Sequence, residues 1–123
     1  MDNSILRSVA KGLGIPESYE YFDPDLILHI NTILSVLQQL GAIDEDTYYL
    51  IDDASTTWRN VLRGSQLMSL ALSFTVIRVG LLFDPPQSAA AIEARKEQAN
   101  ELAERIVWAA EKLDAIEENG ENG

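Results

Sequence analysis

The chain has 123 residues, no cysteine and a formal net charge of −11, from 20 acidic and 9 basic side chains. A chain of this length forms one domain with its own core, and the lack of cysteine excludes disulfides and thiolate metal sites. The acidic balance disfavours proteins that wrap nucleic acid or bind anionic membranes, because both need an excess of Lys and Arg. The N-terminus begins acidic and no apolar run follows, so no signal peptide is expected.

The first predicted element is a short helix. Asn3 or Ser4 is placed to cap it, and its apolar residues fall on one face. The glycines and the proline of residues 12–16 end it. Residues 17–22 then form a linker with aromatic side chains that are expected to anchor it.

A second helix is predicted to begin at Asp23, with Asp23 as the N-cap and Pro24 in the first helical position. Its apolar residues follow a 3.6-residue period as far as Leu40, and Gly41 stands where a C′ glycine belongs. Residues 42–55 are acidic and aromatic, and they predict a loop with at most one short strand.

Two further helices are predicted after this acidic stretch. A Ser or Thr among residues 55–57 caps a short helix around Trp58, which closes at Gly64. Residues 65–83 form an apolar fourth helix, which we expect to be the most buried. This run contains Arg78 and barely reaches the roughly 20 residues that span a bilayer, so it is interpreted as the core helix of a soluble bundle.

The Asp-Pro-Pro sequence at residues 84–86 ends the fourth helix, and Ser88 caps a long final helix that should pack antiparallel on the fourth. Apolar residues recur in the final helix every seven residues, with a second series three residues later, which predicts one narrow buried stripe. The two series are Ile92, Ala99, Ile106 and Leu113, and Leu102, Ala109 and Ile116.

The C-terminal end of the final helix extends beyond its predicted partner. Residues from 107 onward are expected either to be a mobile interaction site or to pack on the first helix. Residues 117–123 are expected to form a disordered acidic tail, which leaves one domain of residues 1–116. The elements together predict an all-α fold, a small bundle of about four to five helices with a long C-terminal helix.

No catalytic, cofactor-binding or metal-binding set is predicted, and we expect no enzyme. His29, the one histidine, follows Asp25 by one turn, which is typical of a helix surface rather than of a general base. The acids at residues 44–46 and 52–53 lack the glycine and glutamate spacing of a calcium loop.

Arg78 stands out from its apolar helix, because a guanidinium in such a place needs a carboxylate or an opening to solvent. We expect an ion pair with Glu93 or Glu97 of the final helix. The alternative is a contact with a neighbouring subunit.

Several segments, taken in order, resemble the gp6-like head–tail connector (adaptor, or head-completion) proteins of long-tailed phages and prophages. The resemblance extends from the first helix to about Arg105. The segments are Phe22-Asp23, Leu28-His29-Ile30-Asn31, Leu37-Gln38-Gln39-Leu40-Gly41, Trp58, Arg78-Val79-Gly80-Leu81-Leu82-Phe83-Asp84-Pro85-Pro86 and Asn100-Glu101-Leu102-Ala103-Glu104-Arg105.

The resemblance implies a structural virion protein at the head–tail interface, without catalysis or cofactor, assembled in the host cytoplasm. Such proteins form a homo-oligomeric ring, dodecameric in the virion, beneath the portal protein. The ring extends the DNA channel towards the stopper and tail, and DNA passes through its lumen without specific binding. Relatives engage the portal largely through their C-terminal segment. Composition alone also allows a small helical regulatory protein-binding module. Candidate residues for the portal or ring interface are Arg78, Phe83, Asp84, Pro85, Pro86, Arg105, Trp108, Leu113 and Ile116.

Overall fold

A computed structural model describes the backbone of residues 4–122 and the side chains of residues 4–118. Over that range the chain forms five α-helices and one 3-10 turn, with no β-strand, so the all-α prediction is confirmed. The helices are α1 (Ile5–Gly12), α2 (Asp23–Gln39), α3 (Trp58–Val61), α4 (Met68–Phe83) and α5 (Ala89–Asn122), and the 3-10 turn Ser65–Leu67 leads into α4.

The starts of α1 and α2 are tied together by an ion pair. Ser4 caps α1 as predicted, since its side chain accepts a hydrogen bond from the backbone N–H of Arg7. The N-cap of α2 is Phe22 rather than the predicted Asp23, which is the first residue of the helix and precedes Pro24. The Asp23 carboxylate pairs instead with the Arg7 guanidinium, so it joins the two helices rather than capping its own.

The core lies around α4, which packs against α1, α2 and α5. Phe74 and Val79 of α4 are fully buried, together with Ile30 and Leu34 of α2 and Ile106 of α5. The prediction that this helix is the most buried was wrong, because four of the eight residues of α1 are buried but five of the sixteen of α4. The side chains of α4 that lie between its three neighbouring helices stay partly exposed to solvent.

The segment Ser65–Phe83 is long and apolar enough to cross a membrane by length and composition, with a mean hydropathy of 1.7. Here it is a helix of a bundle, since α1, α2 and α5 all pack against it. Half-buried Arg78 lies within it, which agrees with its interpretation as a core helix.

The stretch between α2 and α3 is a loop. Two isolated bridges, Ile43 with Leu62 and Ser4 with Thr57, take the place of the short strand that the sequence allowed. Thr57 caps α3 in a reciprocal pair of hydrogen bonds with Asn60, so one of the three predicted cap candidates is confirmed. Satisfying the helix end in this way lets a helix of four residues form at a fixed place.

The long helix α5 packs against α4 and against the 3-10 turn before it. Ala99 and Ile106 of the first predicted series are buried, but Ile116 of the second is 63% exposed and Ala110 is buried instead. The predicted stripe holds as far as Leu113 and fails at Ile116, because a straight helix turns once per 3.6 residues and heptad positions drift off the contact face. The α5 backbone continues to Asn122. The disordered tail expected at residues 117–123 stays a prediction, since the side chains beyond Glu118 and all of Gly123 lie outside the described residues.

Gly41 links the end of α2 to α5. It has a φ of +92°, and a Cβ built there would lie 3.0 Å from the Cβ of Ala110. We therefore expect Gly41→Ala to destabilise the fold twice, through left-handed backbone strain of about 1–2 kcal/mol and through overpacking of about 1–3 kcal/mol. Chemical denaturation measures the sum.

Gly14 provides the matched control. Its φ of +83° is similar, but a Cβ there would meet nothing within 4 Å. Gly14→Ala is therefore expected to be destabilised by the backbone strain alone. Gly41→Ala should cost less in a chain that already carries Ala110→Gly than in the unmodified chain, because the clash is then absent. Equal losses for the two alanine variants would mean that α5 does not approach this turn.

Candidate interaction surfaces

The outer face of α5 carries two large apolar side chains. Trp108 is 64% exposed and Ile116 is 63% exposed. Arg105 and Lys112 lie beside them on the rim of an open concave surface of about 720 Å³. Leu113, predicted to belong to the same surface, is half-buried and packs on the core. Exposed Trp and Ile on an otherwise charged helix are typical of a binding surface for another protein.

Arg63 fastens the far end of α5 to the rest of the molecule. Its side chain is 6% exposed, and its Nη2 lies 2.7 Å from Asp114 Oδ1 and 3.2 Å from Glu117 Oε2. Its Nη1 donates to the carbonyl of Gly41, and its Nε lies 3.3 Å from Asp44 Oδ1. One guanidinium therefore joins α5, the end of α2 and the acidic stretch.

The electrostatics of this cluster favour the charged guanidinium. Burial alone lowers the pKa of Arg63, but hydrogen bonds to Asp114 and Glu117 and the charges of these two carboxylates raise it by more. The net shift of the pKa is upward from the usual arginine value. Arg63 could not be identified from the sequence, because Asp114 is 51 positions away and no local pattern marks the pair.

Of the two arrangements expected for residues from 107 onward, packing on the first helix is wrong, and the contacts of the described residues favour an ordered segment over a mobile one. Ala110 is buried beneath the turn at Gly41, and Asp114 is held by Arg63. The end of α5 packs on the turn that follows α2. Trp108 and Ile116 are presented on a helix that is held in place.

The opposite end of the bundle carries a second surface. Phe83, at the end of α4, stacks edge-on against Phe22 with ring centroids 5.1 Å apart. Tyr19 and Tyr21 extend this cluster but are exposed, so the predicted aromatic anchoring of the linker is confirmed for Phe22 alone. An open groove of about 790 Å³ runs beside it, and its lining includes Asp84, Pro85, Pro86, Leu13, Ile15 and Arg95.

Arg78 does not form the predicted ion pair. The six ion pairs among the described residues do not include it, and Glu93 pairs with Lys96 instead. The guanidinium carbon lies 5.5 Å from the ring centroid of Phe74, one turn earlier on α4. A cation over an aromatic ring gains part of the stabilisation that a carboxylate would supply. Arg78 remains half-buried and without a carboxylate partner within the described part of the chain.

Two polar residues of the segments that resemble connector proteins hold the acidic stretch on α2. The Asn31 side chain donates to the carbonyl of Ile51 and accepts from its N–H, at 3.0 and 2.8 Å. The Gln38 amide donates to the carbonyl of Asp44 at 3.0 Å. These hydrogen bonds fix the backbone of the acidic stretch against α2. The stretch therefore has a defined conformation and presents a defined surface.

The described residues include no arrangement that is typical of a catalytic site. No group of three metal-ligating side chains comes together there. Asp53 is turned to its own loop, where Ser55 donates to it from both its N–H and its hydroxyl, and these hydrogen bonds lower the pKa of Asp53.

A family model described as "Phage connector protein" matches residues 5–112. The matched span runs from α1 into the second half of α5 and includes Arg78, the residues of the 83–86 corner and Trp108. No curated protein and no solved structure matches the chain.

Proposed function

Because this chain belongs to the phage connector protein family, we propose that it is a subunit of the ring that joins the portal of a phage head to the tail. Family membership supports a structural role at the head–tail interface of the virion, together with other head and tail proteins. In our proposal the ring is dodecameric, lies beneath the portal and extends its channel towards the stopper and tail. Its subunits are made in the host cytoplasm.

The observation that carries the proposal is the exposed apolar face of α5. Trp108 and Ile116 are each more than 60% exposed on a helix that Arg63 fastens in place. A preformed surface binds without the entropy loss of ordering a segment. We therefore assign the portal contact to this face, with Arg105 and Leu113 beside it.

A subunit that joins the portal to the tail needs a binding surface at each of its two ends. The corner of Phe83, Asp84, Pro85 and Pro86 lies at the start of α5, and Trp108 lies about 28 Å further along it at 1.5 Å per residue. We assign the corner and its groove to the tail side of the ring.

The charge of the chain suits a DNA channel. Each subunit carries a formal charge of −11, so a ring of them repels the phosphate backbone and lets DNA slide without specific binding. The family is a structural one, which favours a non-enzymatic connector over the regulatory protein-binding module that composition alone allows.

The portal contact is tested with the double variant Trp108→Ala and Ile116→Ser. Both side chains are exposed, so folding should be unaffected, whereas removal of a central tryptophan from an interface typically weakens binding by about tenfold or more. The measurement is decoration of purified cognate portal rings, counted by electron microscopy over a titration of the connector.

Leu28→Ser is the control, because Leu28 is 66% exposed on α2 and does not line the concave surface at Trp108 and Ile116. It should decorate portals as the unmodified chain does. Failure of the unmodified chain to decorate portals at all would contradict the connector proposal. Decoration by the double variant at unmodified affinity would leave the connector role standing and move the portal contact elsewhere.

A further inference from the structure

Arg78 belongs to a row of side chains along one face of α4. Phe74, Arg78 and Leu82 are spaced four residues apart and so lie one turn above another. Phe74 is buried, Arg78 is half-buried and Leu82 is 51% exposed. The Arg78 guanidinium is half-buried and has no carboxylate partner among the described residues, so it is open to a carboxylate of another molecule.

The acidic loop, which we define as residues 44–53, has the opposite character. It contains five acids and no base. Its extended part alternates, so that Tyr48, Leu50 and Asp52 are exposed, whereas Tyr49 is half-buried and Ile51 is buried. A hollow of about 360 Å³ lies beside this outer row. The loop therefore offers apolar side chains next to a carboxylate that makes no ion pair among the described residues.

The acidic loop is held on α2 by Asn31 and Gln38, and the chain just after the loop is joined to α1. Just after the loop, the carbonyl of Thr56 accepts a hydrogen bond from the N–H of Ile5, at 3.0 Å. Two residues later the indole N–H of Trp58 donates to the hydroxyl of Ser8, at 2.9 Å. Both bonds join this part of the chain to α1.

The row of Arg78 faces away from α1. On α4, Val76 lies against Gly12 and Gly80 lies against Leu13, so these two positions mark the α1 side. Arg78 is two residues from each, which is about 200° around the helix. A basic, apolar surface and an acidic, apolar surface thus stand on different sides of one subunit.

We propose that these two surfaces bind each other between copies of this chain, with Asp52 of one copy paired with Arg78 of the next. Tyr48 and Leu50 pack on Leu82 in the same contact. Different surfaces on the two partners make the contact head-to-tail, which is the kind that closes into a ring. The inference rests on the proposed function for the ring itself and adds the surfaces that build it.

Cross-linking tests the contact directly, because the chain has no cysteine of its own. Tyr48→Cys and Leu82→Cys replace side chains that are 79% and 51% exposed. A mixture of the two variants, treated with a short bismaleimide, should give cross-linked dimers in at least about tenfold higher yield than either variant alone. Leu28→Cys, at a position 66% exposed on α2, replaces either one as the control.

The experiment is run on the free chain at high concentration and on chains assembled on portals. Selective linkage of positions 48 and 82 in either setting supports the proposal. Equal yields with the position 28 control, or no linkage in both settings, overturns it. A chain that decorates portals without this linkage keeps its connector role, so the two failures are distinguishable.

A charge exchange gives an independent answer. Arg78→Glu alone and Asp52→Lys alone should each lower assembly by about tenfold or more, because like charges then meet at every contact. An equal mixture of the two variants should assemble again, since in an alternating ring each contact between positions 52 and 78 joins an acid to a base. Circular dichroism confirms that each variant is folded, and Asp46→Lys is the matched loop control. Unchanged assembly by both folded variants, or no recovery in the mixture, contradicts the proposal.

Discussion

Ending the chain after Arg105 is expected to abolish cooperative folding. The truncation removes Ile106, which is fully buried, and Ala110, which is 4% exposed. Loss of one buried aliphatic side chain typically costs about 2–5 kcal/mol. It also removes Asp114 and Glu117, so the nearly buried Arg63 side chain loses two of its carboxylate partners. The total approaches the roughly 5–15 kcal/mol by which a whole domain is stable.

The control for this truncation ends the chain after Glu118. That variant keeps every residue of α5 that is buried among the described side chains and both α5 partners of Arg63, so it should unfold at the temperature of the full chain within a few degrees. Thermal unfolding followed by circular dichroism separates the two. A chain ending at Arg105 that still melts cooperatively at the original temperature would show that the end of α5 contributes nothing to the core.

Phe74→Ala is expected to be the most destabilising single substitution that we name. Phe74 is 1% exposed at the centre of α4, and removing a buried phenylalanine costs about 3–5 kcal/mol because a cavity remains. The substitution also removes the ring beneath Arg78. Urea denaturation should show a lower midpoint with a similar slope, since the surface exposed on unfolding hardly changes.

Leu82→Ala is the matched control on the same face of α4, eight residues later. Leu82 is 51% exposed, so its loss should cost well under half as much as the loss of Phe74. Similar losses for the two variants would mean that the face of α4 is buried along its whole length, which would contradict Leu82 as a contact surface between copies.

The fastened end of α5 changes how assembly is expected to proceed. A segment that becomes ordered on the portal would make docking depend on a folding step. With Ala110 buried and Arg63 holding Asp114, the proposed binding face is already formed in the single subunit. Docking is then expected to follow rigid-body association, and the contact between copies adds to it through charge pairing at Arg78.

Much of the fold was determined by local sequence. The cap at Ser4, the left-handed glycine at residue 41 and the helix stop before Pro85 are local, because a cap or a break depends on a few neighbouring residues. The order of apolar residues was enough to place the helices and the fourth helix inside the bundle. The connector resemblance came from segments in order, and the family match over residues 5–112 confirmed it.

The tertiary structure decided the side-chain contacts between residues that are far apart in the sequence. Arg63 finds Asp114 across 51 positions, Asp23 leaves its own helix end for Arg7, and Arg78 lies over Phe74 rather than beside an acid of α5. A long, flexible arginine side chain can reach several carboxylates of similar chemistry, and the sequence does not say which lies within reach. That choice depends on how the helices rotate and cross when the core packs, which no single segment determines.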